Sequence, residues 1–259
     1  MASALISGLI KQGLPSDLID VIEPLAETRD KLQATFGIAA QAQAGSFLLD
    51  APLLVWAVKP QIFQQAALAV APHVLGSLHL SVAAGIRSDS IAAWLGSERV
   101  VRAMPNTPAL IGQGITGLFA RASVTANDKA FVEQVIATTG ESLWLDAEDQ
   151  LDVVTALSGS GPAYVFYFME AMTIAGTEMG LSREQSLQLA IATFSGASAL
   201  AKTSGESPQV LRQRVTSKGG TTFAAISSME DNDVRALFID AMYAARERAK
   251  ALGDEFGAA

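Results

Sequence analysis

Leu53-Leu54-Val55-Trp56-Ala57-Val58-Lys59-Pro60 decides the reading of the fold: an unbroken apolar run stops at a lysine and a proline, and a helical pattern follows at once. A run of that length bounded by turn chemistry reads as a strand over 53–58. Outward from it the same alternation recurs. Strands are expected at 18–23 and 38–42 on one side, and at 78–83 and 100–103 on the other. Shorter strands at 117–120 and 142–145 extend the sheet beyond a helix at 128–138. Short apolar runs alternating with helical patterns are the signature of parallel β-α-β units, with helices on both faces of the sheet. Ala2, Leu5, Ile6, Leu9 and Ile10 share one helical stripe and no basic residues precede them, so residues 1–11 form a core-facing helix and not a signal peptide.

The texture changes after Asp149. Residues 151–259 contain no convincing period-two segment, whereas 164–179, 183–203, 207–217, 222–227 and 231–252 carry helical spacing. The expectation is an α/β domain over 1–149 and an all-α domain over 150–259. Phe166, Phe168, Met169, Met172, Phe194, Phe238 and Met242 stand at helix-packing positions in the second half, as a domain core or as a seam between two chains.

Composition narrows the function. Of 259 residues half are hydrophobic and 17% charged, as in a compact globular chain. The formal charge of −8 lacks the basic stripe that nucleic acid demands and disfavours anionic membrane surfaces. There is no cysteine, which removes thiolate chemistry, disulfides and zinc-thiolate sites and fits the cytoplasm. His73 and His79 are not spaced as a metal pair and read as structural, so no metal site is expected. The uncharged stretch 67–86 reaches membrane-spanning length, but Pro72, Gly76 and Ser77 break it into a helix end, a turn and a strand.

In a doubly wound sheet ligands bind beyond the carboxyl ends of the strands. Small residues and prolines dominate those ends here: Ala57-Val58-Lys59-Pro60, Ser81-Val82-Ala83-Ala84-Gly85 and Arg102-Ala103-Met104-Pro105-Asn106-Thr107-Pro108. They let a flat ring or a ribose approach the backbone, with Lys59 and Asn106 as directional polar groups; ordinary turn chemistry accounts equally for any one of them. Two Gly-Ser segments open into helices, Leu157-Ser158-Gly159-Ser160-Gly161-Pro162-Ala163-Tyr164 and Val215-Thr216-Ser217-Lys218-Gly219-Gly220-Thr221-Thr222. Free amides at such starts favour an anion, the second being the better carboxylate cradle, although either is also an ordinary helix connection. With no Ser-His-Asp set, thiol or metal cluster in view, hydride transfer suits these groups better than hydrolysis, because it needs mainly positioning and a cofactor.

Val58-Lys59-Pro60-Gln61, the 81–85 segment, Met104-Pro105-Asn106-Thr107-Pro108, 158–164 and 215–222, in that order and spacing, together resemble the pyrroline-5-carboxylate reductases over essentially the whole chain. The resemblance implies a Rossmann-like NAD(P)-binding domain followed by an all-α dimerisation domain. It also implies NADPH- or NADH-dependent reduction of 1-pyrroline-5-carboxylate to L-proline, the last step of proline biosynthesis. Carried over to this chain, it has Ala57, Val58, Lys59 and Pro60 lining the cofactor, Val82, Ala83 and Ala84 beneath its ring, and Asn106 fixing that wall. Thr222 is the threonine whose hydroxyl meets the substrate ring nitrogen. Thr221 offers a backbone contact, Glu148 matches a substrate-site acid, and Ser217, Gly219 and Gly220 shape the carboxylate cradle. Glu23 closes the first strand of this chain, where an acid hydrogen-bonds the ribose hydroxyls, and Arg29 beyond it can neutralise a 2′-phosphate. A homodimer through the helical half, or a higher assembly of dimers, is also implied.

Three departures accompany the resemblance. Met1-Ala2 corresponds to the end of the family's Gly-x-Gly-Asn-Met-Ala fingerprint, so the expectation is a strand and glycine turn upstream, about a dozen residues, without which dinucleotide binds poorly. Lys218 replaces a common proline, and residues 41–45 lack an asparagine that many relatives use toward the adenosine ribose. Two other readings are weighed. A β-hydroxyacid dehydrogenase-like reductase would use a helical-half lysine, but Lys202 lacks the Gly-x-x-x-Lys setting. A chain without the glycine turn would also serve as a non-catalytic dimeric scaffold.

Overall fold

The computed structural model describes residues 1–74 and 76–257. Helix α1 (Ala2–Lys11) follows the predicted stripe: Leu5 joins an apolar cluster with Leu78, Leu80, Val101, Leu118, Val132 and Ile136. Ile6 faces a neighbouring cluster with Leu32 and Ile38. Each large apolar side chain buried in this way stabilises the fold by about 1.5–3 kcal/mol.

The two segments flanking α2 (Ala26–Phe36) differ from expectation. Residues 18–23 and 38–42 form no named strand; they meet in a single parallel bridge, Ile22 to Gln41. The bonds are Glu23 N–H to Gln41 C=O and Gln41 N–H to Val21 C=O, each 2.8 Å. A two-stranded pairing is marginal by itself, and Pro24 ends the first segment directly after the bridge.

Among the described residues the sheet proper has five strands in the order β1-β2-β3-β4-β5. β1 (Leu53–Trp56), β2 (Leu78–Ser81) and β3 (Val100–Met104) are parallel, with Trp56 level with Ser81 and Ser81 with Arg102. The crossovers are α3 (Pro60–Val70) and α4 (Ser88–Leu95). β4 (Gly114–Ala120) then runs antiparallel to β3, a departure from the parallel β-α-β pattern of the first three strands. Residues 105–113 are too short for the crossover of about a dozen residues that a parallel pair requires. After α5 (Ala126–Ile136), capped reciprocally by Thr125 and Asp128, β5 (Gly140–Trp144) returns parallel to β4.

Both faces are covered. Phe63, Ala67, Ile91 and Leu95 of α3 and α4 pack with Trp56 and Val100, while α1 and α5 contribute Leu5, Val132 and Ile136 to the opposite face. The stretch 67–86 resolves into the end of α3, a 3-10 turn at Ala71–His73 and β2, with Leu75 outside the described residues. No helix among the described residues is long and apolar enough to cross a membrane.

Beyond β5 everything described is helical: α6 (Gln150–Val154), a π-helical turn at Thr155–Gly159, α7 (Gly161–Glu178), α8 (Arg183–Ser204), α9 (Pro208–Arg214), α10 (Thr221–Asp231) and α11 (Val234–Gly257). The last two residues of the expected helical half lie outside the described residues. The chain forms two compact units, one from Met1–Ser160 together with the chain from Ala245 onward, the other Gly161–Ala244. Helix α11 therefore begins in one unit and ends in the other. Within the second unit Phe168 and Tyr164 of α7 set their rings edge-on to Phe238, each at 5.6 Å. Phe166, Tyr167, Ile174, Leu189 and Leu237 remain exposed.

Candidate active site

Because β1, β2 and β3 are parallel, their carboxyl ends emerge along one edge of the sheet. Ala57, Val58 and Lys59 leave β1, and Pro60 opens α3 at its first turn, where a missing N–H costs nothing. Val82, Ala83 and Ala84 leave β2. The two exits are joined, since Val82 N–H donates to Trp56 C=O at 3.1 Å, and Ala83 N–H donates to Ser81 Oγ at 3.3 Å. Asn106 follows β3; its Oδ1 accepts from Ile115 N–H at 3.0 Å and its carbonyl from Ala109 N–H at 3.1 Å, which secures the turn into β4. The fold thus brings the residues chosen at three strand ends to one edge. Glu23 lies on the bridged segment before α2, where its carboxylate accepts from Leu25 N–H at 2.9 Å. Arg29 is held beside it, donating to the carbonyls of Glu23 (2.9 Å) and Pro24 (2.7 Å).

Beneath that edge lies a buried ionic network that the sequence reading missed. Arg102, 5% exposed on β3, donates to Glu148 at 2.7 Å. Glu148 also accepts the backbone N–H and the hydroxyl of Ser88, each at 2.6 Å, at the first residue of α4. Burial lowers the Arg102 pKa and the Glu148 charge opposes that shift. Arg87, one residue before α4, pairs with Asp152 of α6 at 2.7 Å. The signal was present in the sequence, because an arginine inside the apolar run 100–104 must find a partner. On the same sheet face His79 is fully buried and its Nδ1 accepts from Trp56 Nε1 at 3.3 Å. Burial, and then Arg99, push its pKa down to about 4.

In the second unit Ser217, Lys218, Gly219 and Gly220 make the turn between α9 and α10. Gly219 adopts φ +76, and Gly220 N–H donates to Ser217 C=O at 3.0 Å. Gly220 is also the residue before α10 and supplies no side-chain cap, whereas Ser182 and Ser207 cap the starts of α8 and α9. Thr221 and Thr222 occupy the first turn of α10, so their amides stand at a helix start with no side chain capping it, the arrangement that favours a carboxylate. The other Gly-Ser segment differs from expectation. Residues 157–159 belong to the π-helical turn, Ser158 Oγ donates to Val154 C=O at 3.1 Å, and Ser160 N–H donates to Thr155 C=O at 2.8 Å. The backbone there continues from one helix into the next with these donors engaged, so residues 157–160 are not an open loop. It instead meets β3, the Met104 methyl lying 2.5 Å from where a Cβ on Gly159 would be.

A pyrroline-5-carboxylate reductase of Pseudomonas aeruginosa is 45% identical to this chain, with 99% of the chain and 95% of the relative covered. The chain belongs to the pyrroline-5-carboxylate reductase family. The enzyme of that name from Haemophilus influenzae is 36% identical, over 96% of the chain and 93% of the relative. Residues 148–252 match the pyrroline-5-carboxylate reductase dimerisation family, and residues 1–85 match the NADP oxidoreductase, coenzyme F420-dependent family. A pyrroline-5-carboxylate reductase structure from Coxiella burnetii superposes with a TM-score of 0.90 at 37% identity, covering 97% of this chain and 94% of that one. A Plasmodium falciparum pyrroline carboxylate reductase with NADP bound gives 0.86 at 29% identity, with the same coverage. The fold is accordingly a Rossmann-like nucleotide-binding unit with a helical dimerisation domain, and the chain is a homodimer-forming oxidoreductase of the NAD(P)H class.

Proposed function

We propose that this chain reduces 1-pyrroline-5-carboxylate to L-proline with NADPH or NADH, in the cytoplasm, as the closing step of proline biosynthesis. The observation that carries the assignment of roles is the alignment of three parallel strand ends, whose small residues leave room for a planar ring and a ribose. Ala57, Val58, Lys59 and Pro60 line one side of the cofactor and Val82, Ala83 and Ala84 the other, with Asn106 holding the wall and Glu23 at the adenosine ribose. When bound, the nicotinamide supplies a hydride to the imine carbon.

The chain's own groups orient the imine. The uncapped start of α10, shaped by Ser217, Gly219 and Gly220, takes the substrate carboxylate on the amides of Thr221 and Thr222. The Thr222 hydroxyl hydrogen-bonds the ring nitrogen and acts as the catalytic residue. A cyclic imine arrives already protonated at that nitrogen, so the protein positions charge and transfers no proton of its own. Glu148 is the substrate-site acid. Its carboxylate accepts three hydrogen bonds from Ser88 and Arg102 and has capacity for another.

Functionally the chain divides near 149/150, with the cofactor wall before and the cradle after. Dimerisation covers the exposed apolar residues of α7, α8 and α11, and dimers join into a higher assembly. The test is oxidation of NADPH and NADH by the purified protein with 1-pyrroline-5-carboxylate, with light scattering for the assembly. Turnover yielding proline supports the proposal. No turnover with either cofactor, in a folded dimer, would leave the scaffold reading in its place.

A further inference from the structure

The end of α11 is built into the first unit at one particular spot. Ala249 is buried, and Phe256 packs against the apolar cluster that contains Phe63, Ile86 and Ile91. Between them, Leu252 and Gly253 meet the turn that leads from β2 to α4. Gly85 takes φ +74 there, and a Cβ on it would lie 3.2 Å from Leu252 Cβ. Gly253 lies against the guanidinium of Arg87. A Cβ at 253 would sit 2.8 Å from Nε, 2.9 Å from Nη2 and 3.0 Å from Cζ.

That guanidinium is not free to swing away, because Asp152 holds it at 2.7 Å. It belongs to the residue just before α4, next to Ser88, whose N–H and hydroxyl are bonded to Glu148. A glycine inside a helix forgoes the intrinsic preference of alanine for that conformation, and here the missing methyl is the space that the arginine occupies. The turn so held is continuous with Val82, Ala83 and Ala84.

We propose that Gly253 and Arg87 are positioning residues for the dinucleotide: the bare Cα at 253 seats α11 on the Arg87 guanidinium, and that contact holds the 82–87 turn at the cofactor edge. The proposal rests on the reading that Val82, Ala83 and Ala84 line that edge. It assigns cofactor affinity to a contact made by the last helix of the chain.

The test compares NADPH and NADH binding, by fluorescence titration of the full-length protein, in Gly253→Ala, Arg87→Ala, the double variant and Ala84→Val, alongside steady-state kinetics. Gly253→Ala raises the cofactor Kd and KM on the order of tenfold while the KM for the imine substrate stays at its wild-type value. Arg87→Ala, which removes the guanidinium without a clash, weakens cofactor binding in the same way. The double variant binds no worse than Arg87→Ala, since the added methyl then has nothing to displace. Additive losses in the double variant, or wild-type affinity in Arg87→Ala, overturn the proposal; so does a lowered Tm with unchanged Kd in Gly253→Ala. If Ala84→Val weakens binding and Gly253→Ala does not, the cofactor-edge reading stands and this inference alone falls. If neither changes the Kd, both fall.

Discussion

Arg102 on β3 and Glu148 before α6 are 2.7 Å apart, with Arg102 buried and Glu148 also receiving both donors of Ser88. Removing the carboxylate strands a charge in the interior. Glu148→Ala therefore destabilises the protein by about 3 kcal/mol, the lower end for breaking a buried pair because Glu148 keeps some contact with water. Glu148→Gln, which retains an acceptor, costs about half as much. Urea unfolding measures both, and an alanine variant as stable as wild type would show that the pair holds nothing together.

Thr222→Val exchanges a hydroxyl for a methyl of similar size in the first turn of α10. Turnover falls by about thirty- to a thousandfold, equivalent to roughly 2–4 kcal/mol of transition-state stabilisation, with the fold intact. The check is kcat and kcat/KM together with far-ultraviolet dichroism. Wild-type kinetics in this variant would remove Thr222 from the mechanism.

His79 makes stability depend on pH. Its pKa stands at about 4 in the folded chain against an ordinary 6.5, so the unfolded chain binds the proton more readily. The stabilisation from the neutral ring is complete above pH 6.5 and is lost progressively as pH falls toward 4, about 2–3 kcal/mol by pH 4.5. His79→Asn, which keeps an acceptor for the Trp56 indole and cannot titrate, loses less stability between pH 7 and 4.5. Equal losses in the two proteins would exclude His79 as the source.

If Glu23 lies at the adenosine ribose as proposed, cofactor choice turns on it and on Arg29. Glu23 would then repel a 2′-phosphate, while Arg29, fixed on the carbonyls of Glu23 and Pro24, would attract one. Glu23→Ser shifts the ratio of kcat/KM values toward NADPH and Arg29→Ala shifts it toward NADH, each by about tenfold, or 1.4 kcal/mol. A ratio unmoved by both substitutions would place selection elsewhere.

What was legible in the sequence was whatever a short pattern carries. The run 53–58, the stripe from Ala2 to Ile10 and the helical spacing after Asp149 each state a period, and the structure places strands or helices on them. The strand ends at Ala57, Val82 and Asn106 followed, because parallel strands align their exits. The sequence did not reveal what depends on partners distant along the chain. The direction of β4 is decided by the length of the connection before it. The failure of 18–23 and 38–42 to form strands is decided by how little of a ladder the pair makes. Glu148 offered no local sign that Ser88 and Arg102 would converge on it, and the segment around Ser158 read as a loop because its Gly-Ser chemistry hides a π-helical turn.

Helix α11 starts in the helical unit and finishes inside the nucleotide-binding one, where Ala249 is buried and Phe256 packs against an apolar core built from residues 48–100. The first unit is thus not a contiguous stretch of polypeptide. The apolar cluster that contains Phe63, Ile86 and Ile91 is closed on one side only when the end of α11 has packed against it. Residues 1–160 expressed alone therefore expose the apolar surface against which Phe256 packs in the full chain.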